Sequence, residues 1–238
     1  MTAAVVLSPH PDDAVLSCWH ALATTGRVTV INVFAAIPDP AQPVAWWDRV
    51  TGATSSAERM RERLAEDRRA LALAGRRAIN LNFLDYQYRD RQQTLDQVVD
   101  ELRHHLAPGT AILAPAGIGG HPDHLHVRAA AMRLRDDHAV ALYAELPHAI
   151  RHGWPRIAHS GSRPAPVGSA EMDWEQPLAQ VNRALCAPTV HSLPARALAA
   201  KINAIRAYRS QLAALNTMAY QPLDGPDTLR YEVAWQVL

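Results

Sequence analysis

Two short segments of this sequence hold imidazoles and carboxylates at close spacing. Residues 8–13 read SPHPDD, and residues 119–126 read GGHPDHLH. Imidazole nitrogens and carboxylate oxygens are ligands that zinc and related divalent metals take in proteins. A catalytic zinc typically has three protein ligands and keeps one position for water, an arrangement that serves hydrolysis. Together the two segments predict a hydrolytic metal centre.

The spacing within the segments indicates which side chains would bind the metal. His10 and Asp13 stand three residues apart at a predicted turn from a strand into a helix, so both can point at one ion. The third ligand would come from the second segment, where His124 is preferred and His126 is the competitor.

The remaining polar residues of the two segments fit acid–base chemistry. Asp12 stands between two metal ligands and need not bind the ion itself, and a free carboxylate there is suited to act as general base. His121 would stabilise the oxyanion or protonate the leaving amine, and Asp123 would orient His121.

A simpler interpretation is that these residues only cap helices. Asp12 and Asp13 are good caps at a helix start, and residues 121–123 would cap the next helix in the same way. Capping has no need of histidine, however. Because His-Pro-Asp occurs in both segments, each after a predicted buried strand, the metal site is the favoured interpretation.

Apolar and β-branched runs alternate with helical patterns along the chain. The sequence predicts strands over residues 3–7, 27–34, 78–84, 111–114 and 140–144, with a final strand within 229–238. It predicts helices over residues 11–26, 55–75, 94–106, 121–136 and 194–215, and a Pro-rich loop over 37–52. This alternation is typical of an α/β fold with a mostly parallel sheet, in which ligands bind beyond the carboxyl ends of the strands. The two motif segments follow the first and fourth strands, as that rule requires of a site.

The composition narrows the class of protein. The chain has 238 residues with 24 Lys+Arg against 23 Asp+Glu, and its net charge of +1 argues against a dedicated nucleic-acid binder. A hydrophobic content of 48% is enough for a core, and no apolar run approaches the roughly 18 residues of a membrane helix. Its two cysteines, Cys18 and Cys186, argue against a disulfide framework. We expect one cytoplasmic domain over residues 1–238, with an irregular insertion or lid around 151–193, and leave association into a homo-oligomer open.

The paired histidine motifs resemble those of the zinc-dependent de-N-acetylases named after N-acetylglucosaminylphosphatidylinositol deacetylase, also called the LmbE-like family. The hallmark is His-Pro-Asp-Asp after the first strand and His-x-Asp-His after a later strand, here residues 10–13 and 121–124. Weaker similarities follow in order over nearly the whole chain, at Arg63-x-x-Glu66, Leu84-Asp85, Tyr143-x-Glu145-x-Pro147, Ser210-Gln211 and Tyr231-Glu232. The resemblance implies a three-layer Rossmann-like α/β fold.

The resemblance also implies a role for each motif residue. The implied ligands of zinc, or of a related divalent metal, are His10, Asp13 and His124. Asp12 would be the general base, and His121 an electrophilic or acidic partner held by Asp123. Since the family ligand is the last histidine of His-x-Asp-His, the resemblance ranks His124 above His126.

The predicted activity is that of a hydrolase for a small-molecule substrate. It would remove an N-acyl group, with acetyl favoured, from an amino sugar or a sugar-like amine such as an N-acetylglucosamine derivative. The alternative is hydrolysis of an amide or ester bond in a secondary metabolite or a thiol conjugate. A metal-binding module without catalysis is disfavoured, because it would not need Asp12.

Weaker candidates for substrate contact are Trp47, Arg63, Asp85 and Arg89. The tandem Trp46 and Trp47, with residues 151–193, would shape the sugar or aglycone site, unless the two indoles only anchor a loop. The charged candidates would otherwise form surface ion pairs. Trp19 and His20 stand where the family often has small glycines, which predicts bulk near the pocket.

Overall fold

Seven strands form one mixed sheet in the computed structural model, in the order β3-β2-β1-β4-β5-β7-β6. The structure describes residues 3–24, 26–90, 93–151, 178, 181, 185–219 and 222–238. The strands are β1 Ala4–Ser8, β2 Val28–Asn32, β3 Ala78–Asn80, β4 Ala111–Pro115, β5 Val140–Tyr143, β6 Thr189–Ser192 and β7 Tyr231–Gln236. Neighbours among β1 to β5 pair in parallel, whereas β7 lies antiparallel to β5 and β6. The predicted α/β fold with a mostly parallel central sheet is confirmed.

The central strand β1 positions the site. All five of its residues are buried, as expected of a parallel strand that helices cover on both faces. Val6 pairs with Val30 of β2 on one side and with Leu113 of β4 on the other. Because β1 and β4 are parallel neighbours, the segments that follow them emerge side by side from one edge of the sheet.

Helices flank the sheet. They are α1 Asp13–Ser17, α2 Trp19–Thr24, α3 Trp46–Val50, α4 Ser56–Ala72, α5 Leu95–His105, α6 Pro122–Arg133, α7 His148–Arg151, α8 Ala195–Ile205, α9 Arg209–Ala219 and α10 Pro226–Leu229, with a 3-10 turn at Tyr86–Tyr88. The Ser55 hydroxyl caps α4 by accepting the Glu58 amide at 3.4 Å. At α5, Thr94 and Gln97 form a reciprocal capping box. Among the described residues, no helix combines the length and the apolar character that crossing a membrane requires.

Two predicted helices are each divided by a carboxylate from a distant element. The helix predicted over 11–26 is α1 followed by α2, because Glu232 of β7 accepts the amides of Trp19 and His20, both at 2.8 Å. The helix predicted over 194–215 is α8 followed by α9, where Glu66 of α4 accepts the Ser210 amide at 2.8 Å. In both places the carboxylate satisfies amides at a new helix start, which a local pattern does not reveal.

Other expectations differ in smaller ways. The Pro-rich stretch 37–52, predicted as a loop, contains α3, which is pinned where the Trp47 indole N–H donates to Gln211 Oε1 at 2.8 Å. The third strand ends at Asn80, four residues earlier than predicted. Most of residues 151–193 lie outside the described residues, so the insertion or lid stays a prediction, as does the single domain.

Candidate active site

The two motif segments lie side by side at the carboxyl ends of β1 and β4. This is where the strand order of an open parallel sheet reverses and where ligands bind. The first segment turns sharply, because the Ser8 hydroxyl donates to the His10 carbonyl at 2.7 Å and accepts the Ala14 amide at 3.0 Å. Asp12 within this turn has a φ of 148°, a backbone conformation that costs a residue other than glycine about 1–3 kcal/mol. The turn therefore holds a strained residue, and its side chain lines a cavity at this edge of the sheet.

Three side chains bring their potential ligand atoms together beneath this cavity. His10, Asp13 and His124 are buried, and the ligand atoms that they offer lie within 4.8 Å of one another. Asp13 Oδ2 is 3.4 Å from His10 Nδ1 and 3.5 Å from His124 Nε2. Burial disfavours the ionised form of Asp13, yet the two imidazoles hold its pKa below its ordinary value. We refer to these three residues as the ligand group.

Each imidazole of the ligand group has its other ring nitrogen beside a buried carboxylate. His10 Nε2 is 2.9 Å from Asp123 Oδ2, and His124 Nδ1 is 3.3 Å from Glu145 Oε1. Metal-binding histidines almost always have such a partner, which fixes the tautomer and the ring orientation. Burial lowers the pKa of both histidines, but the surrounding carboxylates outweigh it and raise the pKa of both. The donors and their partners therefore fit a divalent cation.

A second set of residues, His10, His121 and Asp123, also has potential ligand atoms within 4.8 Å of one another. Its carboxylate is already engaged, because Asp123 Oδ1 accepts a hydrogen bond from the Arg89 guanidinium and Oδ2 accepts the Tyr86 amide at 2.9 Å. A guanidinium on this carboxylate repels a further cation. The geometry therefore favours the ligand group as the metal site.

Asp12 lies beside the ligand group without belonging to it. Its Oδ2 is 3.8 Å from Nη2 of the buried Arg63. Burial raises the pKa of Asp12 to about 7, with Arg63 opposing the rise and Asp13 adding to it. A carboxylate that titrates near the working pH is suited to accept a proton and return it.

His121 lines the cavity as a neutral hydrogen-bond donor. The Asp123 backbone amide donates to His121 Nδ1 at 3.2 Å, so the neutral ring carries its proton on Nε2. Burial and the neighbouring His10 and His124 lower the pKa of His121 to about 4. The contact between Asp123 and His121 thus runs through the main chain, while the Asp123 carboxylate holds His10.

The cavity over the ligand group has a volume of about 430 Å³. Its polar wall includes His10, Asp12, Asp13, Arg63, Asp85, His121 and His124. Its apolar wall includes Leu16, Trp46, Trp47, Leu146, Pro147, Leu215 and Met218. A larger groove of about 850 Å³ borders α4 and β3, but it contains none of the ligand group. Convergent polar groups identify a binding site better than size alone, so we assign the smaller cavity.

Three of the four weaker candidates line this cavity, namely Trp47, Arg63 and Asp85. Arg63 Nη1 is 3.4 Å from Asp85 Oδ2 and both side chains are buried, so this is not a surface ion pair. Arg89 is not among the lining residues and lies behind Asp123 instead. The expected bulk of Trp19 and His20 near the pocket is wrong, since neither residue lines the cavity.

The sequence matches a known protein family over more than half of its length. The model of the GlcNAc-PI de-N-acetylase family, PIG-L, matches residues 5–134, more than half of the chain. The chain belongs to this family. The predicted membership among the de-N-acetylases is confirmed.

Individual members of this de-N-acetylase group are similar over different lengths. The 2'-N-acetylparomamine deacetylase of Streptomyces fradiae is 29% identical over 140 residues, which are 53% of this chain and 50% of that enzyme. The chain thus matches about half the length of this curated relative. Solved structures match more fully. A triple mutant of a deacetylase of the teicoplanin biosynthetic pathway is 26% identical with a TM-score of 0.75, covering 100% of this chain and 98% of that chain.

Two further structures extend the similarity. The A40926 pseudoaglycone deacetylase Dbv21 is 27% identical with a TM-score of 0.74, covering 100% of this chain and 97% of that one. The N,N'-diacetylchitobiose deacetylase of Pyrococcus horikoshii shares the fold, at 16% identity and a TM-score of 0.56, over 100% of this chain and 84% of that one.

Two residues of this PIG-L family member had no predicted role at the site. Glu145 holds His124, and His148 lines the cavity with its ring centre 5.1 Å from that of His124. Burial and the neighbouring imidazoles lower the pKa of His148 well below its ordinary value. Both residues follow β5, the parallel neighbour of β4, so the strand-end rule applied to a third strand would have found them.

Proposed function

We propose that this chain is a zinc-dependent hydrolase that removes an N-acyl group, acetyl in the first instance, from an amino sugar or a sugar-like amine. The observation that carries the proposal is the ligand group with Asp12 beside it. The two buried imidazoles are each supported by a carboxylate and converge on Asp13. Asp12 lies beside them and is not one of the ligands. A set of two nitrogens and one oxygen favours zinc over magnesium or calcium, which prefer oxygen.

The substrate class is supported by the names of the relatives. One acts on 2'-N-acetylparomamine, and others are deacetylases of the teicoplanin pathway and of A40926 pseudoaglycone. We infer an acylated amino sugar within a secondary metabolite as the substrate of this chain. The cavity of about 430 Å³ falls within the range of small-molecule sites.

The residues divide the work of hydrolysis among them. A zinc ion held by His10, Asp13 and His124 would supply Lewis acidity to the amide carbonyl and acidify a water molecule. Asp12 accepts a proton from water as the new C–O bond forms. His121 Nε2 donates a hydrogen bond to the carbonyl oxygen as that oxygen gains negative charge.

Collapse of the tetrahedral species breaks the C–N bond and needs a proton on the leaving nitrogen. Asp12 carries the proton that it took from water and can deliver it there. His121 is a poor source, because its neutral ring holds a single proton on Nε2 and accepts the Asp123 amide at Nδ1. The products are a free amine and a carboxylate.

The test compares the purified protein with Asp12→Asn. We expect about one zinc per chain in both proteins by metal analysis, and loss of amine release from N-acetylated sugars by about 100-fold or more in the variant. Asp136→Asn is the matched control, since its side chain is 92% exposed and outside the cavity. Wild-type protein without bound metal, or unchanged turnover in Asp12→Asn, would refute the proposal. Amides and esters of other metabolites in the same assay would reveal the alternative substrate class.

A further inference from the structure

The groove of about 850 Å³ beside α4 is rich in arginine, although the chain as a whole is nearly neutral. Among the described residues that line it, four are arginines and one, Asp67, carries a carboxylate. Asp67 is buried, and its two oxygens accept hydrogen bonds from Asn32 and Tyr208, each at 2.7 Å. The described walls of the groove therefore carry a surplus of positive charge.

Three of the four arginines can turn to a ligand. Arg68 and Arg77 are exposed, and neither forms an ion pair with another described residue. Arg61 has an exposed pair with Glu58, a kind of contact that contributes little to stability and is easily exchanged. Arg76 is the engaged member of the set, because its guanidinium donates to two main-chain carbonyls at 2.9 and 3.1 Å.

The arginines are spread along the length of the groove. Its α4 wall is a stripe at helical spacing that consists of Arg61, Leu64, Ala65, Arg68 and Ala72. With a rise of about 1.5 Å per residue, this stripe is about 16 Å long. Arg77 lies beyond its end, where the chain enters β3. A ligand that reaches Arg61, Arg68 and Arg77 must therefore be extended and carry several negative charges.

The other wall of the groove is the edge strand β3, which pairs only with β2 among the described residues. The Leu81 amide donates to the carbonyl of Asn32 at 2.9 Å. Main-chain groups alternate in direction along a strand, so those of Ala78 and Asn80 face the open edge. These are also the β3 residues that line the groove, whereas Ile79 does not. The open strand edge and the arginines therefore face the same space.

The charge of the groove selects among the occupants that an open strand edge could take. A second copy of this chain is disfavoured, because two-fold pairing would bring the arginines of one copy against those of the other. Nucleic-acid phosphates would meet the guanidiniums but would leave the strand edge unpaired. An acidic peptide supplies carboxylates for the guanidiniums and main-chain groups for the edge.

We propose that this groove binds an extended acidic segment of a partner protein, which adds a strand to the open edge of β3 and places its carboxylates on Arg61, Arg68 and Arg77. About five extended residues, at about 3.3 Å each, span the groove. Main-chain pairing supplies affinity, and the guanidiniums supply the preference for acidic side chains. The groove and the active-site cavity share no lining residue, so binding does not require the proposed hydrolysis.

The test measures the fluorescence anisotropy of a labelled hexapeptide, Glu-Thr-Glu-Thr-Glu-Thr, mixed with the full chain. Alternation puts its glutamates on one face of an added strand. Arg68→Gln and Arg77→Gln should each weaken binding by about twofold to fivefold, as expected for exposed ion pairs. The double variant Arg68→Glu with Arg77→Glu should bind this peptide about tenfold more weakly or worse, and should prefer the peptide Lys-Thr-Lys-Thr-Lys-Thr instead.

Arg69→Glu with Arg103→Glu is the matched double control. Both arginines are exposed, neither lines the groove, and the net charge changes by the same amount as in the groove variant. This control should keep the preference for the glutamate peptide. N-methylation of alternate peptide residues, in the register that faces β3, should also weaken binding, because it removes the donors that pair with the strand edge.

Reversal of the peptide preference in the groove variant, together with loss of binding on N-methylation, would support the proposal. No binding of the glutamate peptide up to about 1 mM would overturn it, as would equal losses in the groove and control double variants. Binding that survives N-methylation in both registers would mean that charge alone holds the peptide, and would overturn the added strand. A heparin oligosaccharide that binds where the peptide does not would identify a general polyanion surface and reject the peptide site.

Discussion

The two imidazoles of the ligand group are supported in different ways. His10 is held by Asp123, whose other oxygen binds the guanidinium of Arg89. His124 is held by Glu145, whose other oxygen accepts the backbone amide of Ala116 at 3.1 Å. Asp123 also accepts the Tyr86 amide, so the first support combines a charged side chain with the main chain, whereas the second ends on the main chain just beyond β4.

This difference shows two solutions to one physical problem. Asp123 and Glu145 are both 0% exposed, and a buried carboxylate is costly unless charges or hydrogen-bond donors surround it. On the His124 side the parallel pairing of β4 and β5 supplies the donor, so the support comes with the fold. On the His10 side the Arg89 side chain donates in addition to the Tyr86 amide, so part of the support depends on one particular side chain and can be varied by mutation.

The largest effect should come from removing an imidazole, and it should be equal for His10 and His124. His10→Ala and His124→Ala each delete a direct ligand, so each should lower zinc affinity and kcat/KM by more than the roughly 10- to 100-fold typical of losing an outer partner. Metal analysis after dialysis and amine-release assays measure both losses. His126→Ala is the matched control, because His126 packs edge-on against Phe34 outside the ligand group and should keep its zinc. Retention of zinc in His124→Ala with loss in His126→Ala would reverse the ranking of the two histidines.

The second largest effect should distinguish the support of His10 by Asp123 from the support of His124 by Glu145. Asp123→Asn and Glu145→Gln should each weaken zinc binding by about 10- to 100-fold, because an amide cannot fix the imidazole tautomer as a carboxylate does. Their costs in the free energy of unfolding should differ. Asp123→Asn takes the carboxylate away from Arg89, whose side chain is 3% exposed. Breaking a buried ion pair in this way costs about 3–5 kcal/mol of the free energy of unfolding. Glu145→Gln keeps an oxygen for the Ala116 amide and should cost about 1–3 kcal/mol. Urea denaturation of the metal-free variants measures both values, and equal losses would contradict the distinction between the two supports.

The centre of the site and the sheet that carries it can be predicted from local sequence. The run at β1 is apolar throughout, the His-Pro-Asp segments follow β1 and β4, and the strand-end rule brings these segments together. His10 and Asp13 can therefore be proposed as ligands from the order of residues alone, whereas His124 is only preferred over His126 until the resemblance to the family ranks the two. They lie in short segments whose conformation depends on neighbours in the sequence.

The supports cannot be predicted in the same way, because they depend on distant contacts. In the sequence Glu145 stands out only as part of a family-like segment, and its link to His124 requires β5 to lie beside β4. Local spacing pairs Asp123 with His121 two residues away, yet its carboxylate faces His10, 113 residues away. The broken helices teach the same lesson, since Glu232 caps α2 from 213 residues beyond Trp19. Hydrogen bonds of this range leave no periodic trace in the sequence.

The smallest effect should come from Arg89, which acts on His10 only through Asp123. Arg89→Gln keeps a donor but removes the charge, so we expect zinc affinity to fall by less than the roughly tenfold lower bound for a direct outer partner. Nitrogen NMR of the zinc-loaded protein is the sharper measurement, because the His10 Nε2 signal should shift while the His124 Nδ1 signal stays in place. Arg128→Gln is the matched control on the other side, since Arg128 is a buried arginine that donates to the Ala116 carbonyl at 2.8 Å. A His10 signal that responds equally to both variants would mean that Arg89 stabilises the fold in general and does not tune the His10 side of the ligand group.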